Sequence, residues 1–233
     1  MQTIYLLCGL LCDETVWEDQ TPALRDQGYD VRTLSFQGFD SIEGMAGHLL
    51  AQAPQEFALA GHSMGGRVAL EAYRQAPQRI QRLALLDTGY GPAAAQETES
   101  RGVLVRKALA EGIDAIAETW ARPMLAPSRQ QDSDLLDRIL QMVGRMSGEI
   151  YAGQTQALLT RPDATPVLAE IQCPTLVLCG RQDGWSPPER HRHMAEVIAD
   201  SELRLIDDCG HMSTMEQPGE VLNALEGWMR HGS

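Results

Sequence analysis

Short apolar runs alternate along the chain with longer stretches in which apolar residues recur every three or four positions. Thr3–Leu7 is such a run, bounded by Gly9, and reads as a buried strand. Asp13 is placed to cap a helix carrying Val16, Trp17 and, after Pro22, Leu24, which Gly28 closes. Tyr29–Leu34 reads as a second strand, and Met45, Leu49 and Leu50 mark the next helix. A third strand begins at Phe57 and stops at Gly61. A helix follows in which Val68, Leu70, Ala72 and Tyr73 interleave with Arg67, Glu71 and Arg74, ending near Ala76-Pro77. Arg82–Asp87 is a fourth strand, closed by Thr88-Gly89. Strict alternation of strand and helix predicts right-handed crossovers and a parallel sheet with helices on both faces.

The alternation breaks at Tyr90-Gly91-Pro92. Residues 93–161 contain no convincing strand, and the pattern predicts helices over Thr98–Ala110, Ile113–Ala121, Ser133–Met146 and Glu149–Leu159. In the third of these Leu135, Leu136, Ile139, Leu140 and Val143 recur at helical spacing. An insertion at the carboxyl end of a strand reads as a cap over a site there. Alternation then resumes with a strand at Pro174–Cys179, a helix at Pro188–Ala199, a strand at Glu202–Ile206 and a closing amphipathic helix at Glu220–Met229. No internal repeat or separating linker is visible, so residues 1–92 and 162–233 are expected to form one core carrying the 93–161 insertion.

Charge and cysteine usage narrow the partners. Nineteen Lys and Arg against 32 Asp and Glu give a formal net charge of −13, which opposes binding to nucleic acid or to anionic membrane surfaces. The five cysteines have no zinc or disulfide spacing; Cys8-x3-Cys12 lacks further ligands nearby, so no metal is expected. A reducing cytoplasm is the simplest setting. Ile4–Cys12 has the apolar character of a signal-peptide core, but no Lys or Arg precedes it, Asp13 and Glu14 follow at once, and no small-residue cleavage site is present. No stretch reaches the ~18 apolar residues of a membrane span.

The candidate chemistry sits where the third strand meets its helix. Gly61-His62-Ser63-Met64-Gly65 matches G-x-S-x-G, a turn so tight that the neighbours of the serine must be small. A serine hydroxyl needs a base and a group that orients the base, each on a loop at the carboxyl end of a strand. Gly180-Arg181-Gln182-Asp183 and Asp207-Asp208-Cys209-Gly210-His211 are two such loops. The order Ser63, Asp183, His211 gives nucleophile, acid and base. Asp87, at the end of the fourth strand, is a rival for the acid; Asp207 and Asp208 read as solvated turn residues. His62 reads as a brace of the turn, and His48, His191, His193 and His231 as surface residues.

These motifs, with Leu7-Cys8-Gly9-Leu10-Leu11 near the start and Cys209-Gly210-His211 near the end, resemble the α/β-hydrolase superfamily over nearly the whole chain. The resemblance implies an α/β-hydrolase fold of about six mainly parallel strands, without the first two strands of larger relatives. It implies a serine hydrolase without cofactor, most like the small capped esterases, with Ser63 attacking the carbonyl of a small-molecule substrate, His211 as base and Asp183 orienting it. It places an oxyanion hole on the backbone amides of Leu10 and Met64. Cys8 stands where relatives often carry histidine, which bears on how that loop is braced. Trp185, Trp120 and Met124 are candidates for lining the pocket. Carbon–carbon bond, enol-lactone, thioester and perhydrolase chemistry use the same framework, and a ligand-binding sensor on this fold is a further alternative. The acidic balance weighs against a bulky polyanionic substrate, although Arg101, Arg106 and Lys107 could form a local anion site.

Overall fold

A computed structural model describes residues 1–230; His231 lies outside them. Six strands form one sheet: β1 (Thr3–Leu7), β2 (Asp30–Leu34), β3 (Phe57–His62), β4 (Ile80–Leu86), β5 (Thr175–Gly180) and β6 (Ser201–Ile206). Their order is β2-β1-β3-β4-β5-β6, and every neighbouring pair is parallel. β1, β3 and β5 are buried along their whole length, as strands covered on both faces must be, whereas the edge strand β6 alternates.

The helices follow from the order of the strands. They are α1 (Gln20–Asp26), α2 (Ile42–Gln52), α3 (Met64–Gln75), α4 (Glu97–Glu111), α5 (Asp114–Ala121), α6 (Ser133–Gly144), α7 (Gly148–Leu159), α8 (Thr165–Leu168), α9 (Pro188–Val197), α10 (Ser213–Glu216) and α11 (Pro218–Arg230). β1 to β2 crosses the sheet one way, and every later crossover runs the other way. Right-handedness therefore puts α1 on one face and α2, α3 and α9 on the opposite face. α11 packs against α1 and so joins its face. The direction of travel reverses between β1 and β3, and a crevice opens outside the carboxyl ends of those strands.

The single helix expected from Val16 to Leu24 is divided. A 3₁₀ turn at Glu14–Trp17 is capped by Asp13, whose side chain accepts from the Thr15 amide; α1 starts only at Gln20. Trp17 buries its ring and donates from Nε1 to the Leu7 carbonyl at 3.2 Å, which fixes the turn to the end of β1. Pro22 then falls in the first turn of α1, where a missing N–H costs nothing.

Residues 93–161 supply α4 to α7 and no strand. α6 and α7 begin at side-chain caps from Asp132 and Ser147, which accept from the Leu135 and Ile150 amides. These helices do not build a core of their own. Ile116, Trp120, Leu135, Ile139 and Met142 belong to one continuous apolar cluster that includes Leu6, Leu59 and Leu85 of the sheet.

Candidate active site

Ser63 stands at the switch point of the sheet, between β3 and α3, with φ 54° and ψ −115°. A non-glycine residue in this region is strained and persists only where its surroundings over-determine it. Here they do. The Ser63 amide donates to the Leu86 carbonyl at 2.9 Å, and Thr88 Oγ1 donates to the Ser63 carbonyl at 2.6 Å. A β-carbon on Gly61 would lie 2.3 Å from the Gly65 carbonyl oxygen, and one on Gly65 would lie 2.4 Å from that of Leu7. Only glycine lets the turn close and lets α3 pack onto β1.

Three side chains from distant loops meet at this turn. Ser63 Oγ is 2.8 Å from His211 Nε2, and His211 Nδ1 is 2.8 Å from Asp183 Oδ2. Asp183 Oδ1 accepts from the Trp185 and Ser186 amides, each at 2.8 Å. Burial disfavours charge on both partners. Even so, the pair holds the Asp183 pKa below the usual carboxylate value and the His211 pKa above the usual imidazole value, because each stabilises the other's charged form.

Asp87, the rival acid, is fully buried, and its oxygens accept from the Gly180 and Ser213 amides. Desolvation and the neighbouring Asp183 carboxylate push its pKa up. It thus ties the strand end to the loops of β5 and His211, while the imidazole faces Asp183. Asp87, Cys179 and Asp183 bring potential metal-ligand atoms within 4.8 Å of one another. However, both oxygens of each carboxylate already accept hydrogen bonds from the protein, and burial pushes the Cys179 thiol pKa up.

His62 is buried and its Nε2 lies 2.8 Å from the His211 carbonyl oxygen. Desolvation, with His211 nearby, lowers its pKa to about 4, so the ring is neutral and Nε2–H donates. His48 and His193 are exposed, as expected. His191 is not: it is fully buried, and it corrects the surface assignment. Its Nε2 accepts from the Thr88 amide at 3.0 Å and its Nδ1 pairs with the Pro187 carbonyl at 3.3 Å. Burial lowers its pKa to about 4. The spacing carries the signal, because His191 shares a helix face with the buried Met194 and Ile198 at i, i+3 and i+7.

Leu10 and Met64 flank the serine from the β1 loop and the start of α3. Among the described residues neither amide has a hydrogen-bond acceptor. The β1 loop is held through Gln154. The Leu11 amide, at φ 57°, donates to Gln154 Oε1 on α7 at 2.9 Å, and Gln154 Nε2 donates to the Phe36 carbonyl at 3.1 Å. Cys8 turns its thiol to the Asp13 carbonyl.

Glu216 is a site residue that no motif marks. Buried at the end of α10, it accepts from the Gly210 and Met212 amides on either side of His211, and from Ala126 in the insertion. The His211 amide itself donates to the Met124 carbonyl at 2.7 Å. Met124 thus acts through its backbone as well as its side chain.

Two spaces open on Ser63. A compartment of about 40 Å3 is lined by Leu10, Cys12, Trp120, Met124 and Leu158 among others, and is largely apolar; among the described residues the indole N–H of Trp120 has no acceptor. A larger pocket of about 430 Å3 lies between the end of the sheet and the inserted helices, with Tyr151, Leu104 and four arginines on its wall. Trp185 borders both, its ring 6.2 Å from that of His211. Arg101 faces the larger pocket, but Arg106 and Lys107 are exposed and do not line it.

A parallel sheet in this order, with polar side chains gathered at its switch point, is the architecture of hydrolases of the α/β class. The model of the alpha/beta hydrolase family matches residues 4–225, and the chain belongs to that family. A curated pimeloyl-[acyl-carrier protein] methyl ester esterase from Photobacterium profundum is 26% identical over 97% of this chain and 94% of its own. A 2-hydroxy-6-oxononadienedioate/2-hydroxy-6-oxononatrienedioate hydrolase from Escherichia coli is 28% identical over 72% of this chain and 59% of its own. Among solved structures, a malate-bound thermophilic esterase from Thermogutta terrifontis superposes with a TM-score of 0.87 at 31% identity, covering 99% of this chain and 90% of that one. No helix among the described residues is long and apolar enough to cross a membrane.

Proposed function

We propose that this protein is a serine hydrolase that cleaves a small carboxylic ester through an acyl-enzyme. The observation that carries the reading is the unbroken chain of hydrogen bonds from Ser63 Oγ to His211 and on to Asp183. In this reading His211 Nε2 takes the proton as Ser63 Oγ attacks the ester carbonyl. The amides of Leu10 and Met64 donate to the oxygen that becomes negative, a contribution of about 3 kcal/mol for each such donor. Collapse of the tetrahedral species expels the alcohol with the proton held by His211. Water, deprotonated by the same nitrogen, then releases the acid. Asp183 keeps the imidazole in the tautomer that presents a lone pair to the serine.

The insertion at 93–161 serves as the cap: Gln96, Glu97, Arg101, Tyr151 and Leu158 face Ser63 and His211 across the larger pocket. The carbon–carbon bond cleavage alternative rests on the E. coli relative, which matches over a shorter stretch than the P. profundum esterase, so ester chemistry is the better supported. Five free cysteines, four of them buried, suit a reducing cytoplasm.

A short p-nitrophenyl ester tests the reaction. Wild type is expected to give a burst of p-nitrophenol, and Ser63→Ala to lose kcat by about three orders of magnitude or more. Equal turnover in the two proteins would refute the mechanism.

A further inference from the structure

The pocket beside Ser63 is cationic although the chain is acidic. Arg67, Arg101, Arg161 and Arg190 line it, and Glu97 is its only carboxylate among the described lining residues. The four are not equivalent. Arg161 is spent on structure: it donates to both oxygens of Glu97 and to the Leu158, Gly91 and Pro92 carbonyls. Arg101 Nε shares the Glu97 carboxylate at 3.2 Å. Glu97 is therefore consumed by Arg161 and Arg101.

Arg67 and Arg190 form no ion pair among the described residues. Arg67 Nη1 is held by the Gly91 carbonyl at 2.9 Å. Its Nη2 lies 2.7 Å, and Arg190 Nη1 3.5 Å, from the one point where a β-carbon on Gly89 would stand. Two guanidinium groups thus converge over a residue that has no side chain to separate them. Desolvation, with Arg161 and Arg190 nearby, lowers the Arg67 pKa to about 9, so it stays charged at neutral pH in a place unfavourable to charge. Convergent cations without an ion-pair partner among the described residues, one of them desolvated, are what an anionic ligand would relieve, and the guanidinium fork suits a carboxylate. Arg67 lies four residues along α3 from Ser63, about 6 Å at 1.5 Å per residue.

We propose that Arg67 and Arg190 form an anion subsite, and that the substrate is an ester carrying a carboxylate a few bonds from the carbonyl that Ser63 attacks. This rests on the serine-hydrolase reading of the same site. The carboxylate end occupies the larger pocket, and the small apolar compartment, with room for about two or three water-sized groups, takes a short alkoxy end such as methoxy. The net charge of −13 does not oppose this at close range, because distant surface charges are screened beyond about 8 Å at physiological salt.

Two arms test it. The first follows methanol release from monomethyl succinate, glutarate and adipate against their neutral counterparts methyl butanoate, pentanoate and hexanoate. In wild type at least one monoester should exceed its counterpart about tenfold or more in kcat/KM, chiefly through KM. That ratio should fall toward one in Arg67→Met, fall in part in Arg67→Lys, and fall in Arg190→Gln, where the exposed side chain leaves the fold intact. The second arm titrates glutarate into Ser63→Ala by calorimetry, with and without Arg67→Met. Binding that depends on Arg67 is expected. If the neutral esters are cleaved as well as the monoesters and glutarate does not bind, the anion subsite is overturned while the hydrolase reading stands. If glutarate binds through Arg67 but no ester is cleaved, the hydrolase reading falls and the subsite stands. If neither occurs, both fall.

Discussion

His211 is drawn two ways. Burial favours the neutral imidazole, while the Asp183 carboxylate, supported by Asp87 and Glu216, favours the imidazolium and prevails. As the proposed base, His211 must be neutral to accept the serine proton. The acid limb of kcat/KM is therefore expected to have its midpoint above the ordinary imidazole value of 6.5, with activity lost as pH falls through it. Asp183→Asn removes the group that raises the pKa. It should move the limb to lower pH while reducing kcat by about 10⁴-fold. A wild-type midpoint at or below the ordinary value would contradict the assignment. The raised pKa also has a stability consequence: the contribution is complete below the unfolded value near 6.5 and is lost as pH rises through the folded one. At this same scale His191 shows what residue type conceals. Flanked by Arg190 and Arg192 it looks solvated, yet its spacing from Met194 and Ile198 buries it.

Among the elements, the strands and long helices are readable because each repeats its own period over many residues. α10 is not: at four residues it has no period to read, and it brings Glu216 beneath the His211 loop. Glu216 accepts from amides on both sides of His211 and from Ala126 in the insertion, so one carboxylate fixes two loops. Glu216→Gln keeps the shape but replaces one acceptor oxygen with a donor facing an N–H. A loss of about 2 kcal/mol is expected, or about 4–8 °C in Tm for a chain of this size, together with a fall in kcat. An unchanged kcat at reduced Tm would show that the His211 loop holds its geometry without it. Gln154 plays the matching part for the loop after β1, reaching from α7 to the Leu11 amide.

At the scale of the whole molecule, the insertion is docked rather than free. It shares the apolar cluster of the sheet, and Arg145, just after α6, grips Asp13 at the start of the first 3₁₀ turn through two bonds of 2.7 and 3.0 Å. Burial alone would raise the Asp13 pKa, but the Arg145 guanidinium outweighs it and holds the carboxyl below its usual value. The stabilisation is thus present above pH 3.8 and lost as pH falls through the lowered value. Arg145 is half exposed, so the pair is worth about 1 kcal/mol. Asp13→Asn should lower Tm by about 2–4 °C at neutral pH, and the difference should vanish in acid. A difference that persisted unchanged once the Asp13 carboxyl was protonated would assign the effect to the lost cap of Thr15 instead.

The sequence by itself determined the strand and helix alternation, the helical run between β4 and β5, the glycine-flanked turn at Ser63 and the placement of two candidate acids, Asp87 and Asp183, and of His211 at strand ends. All of these are local: periodicity, glycine placement and strand-end loops act over a few residues. Tertiary structure alone decided that Asp183 rather than Asp87 faces the imidazole, that Glu216 and Gln154 hold the two loops, and that arginines gather beside Ser63 in an acidic chain. Those choices depend on sheet register and on helices packing across it, which bring together residues as far apart as Leu11 and Gln154. Backbone propensity carries no information over such a separation. The parallel sheet supplies it, by bringing the carboxyl-end loop of every strand to one edge, in the order β2-β1-β3-β4-β5-β6.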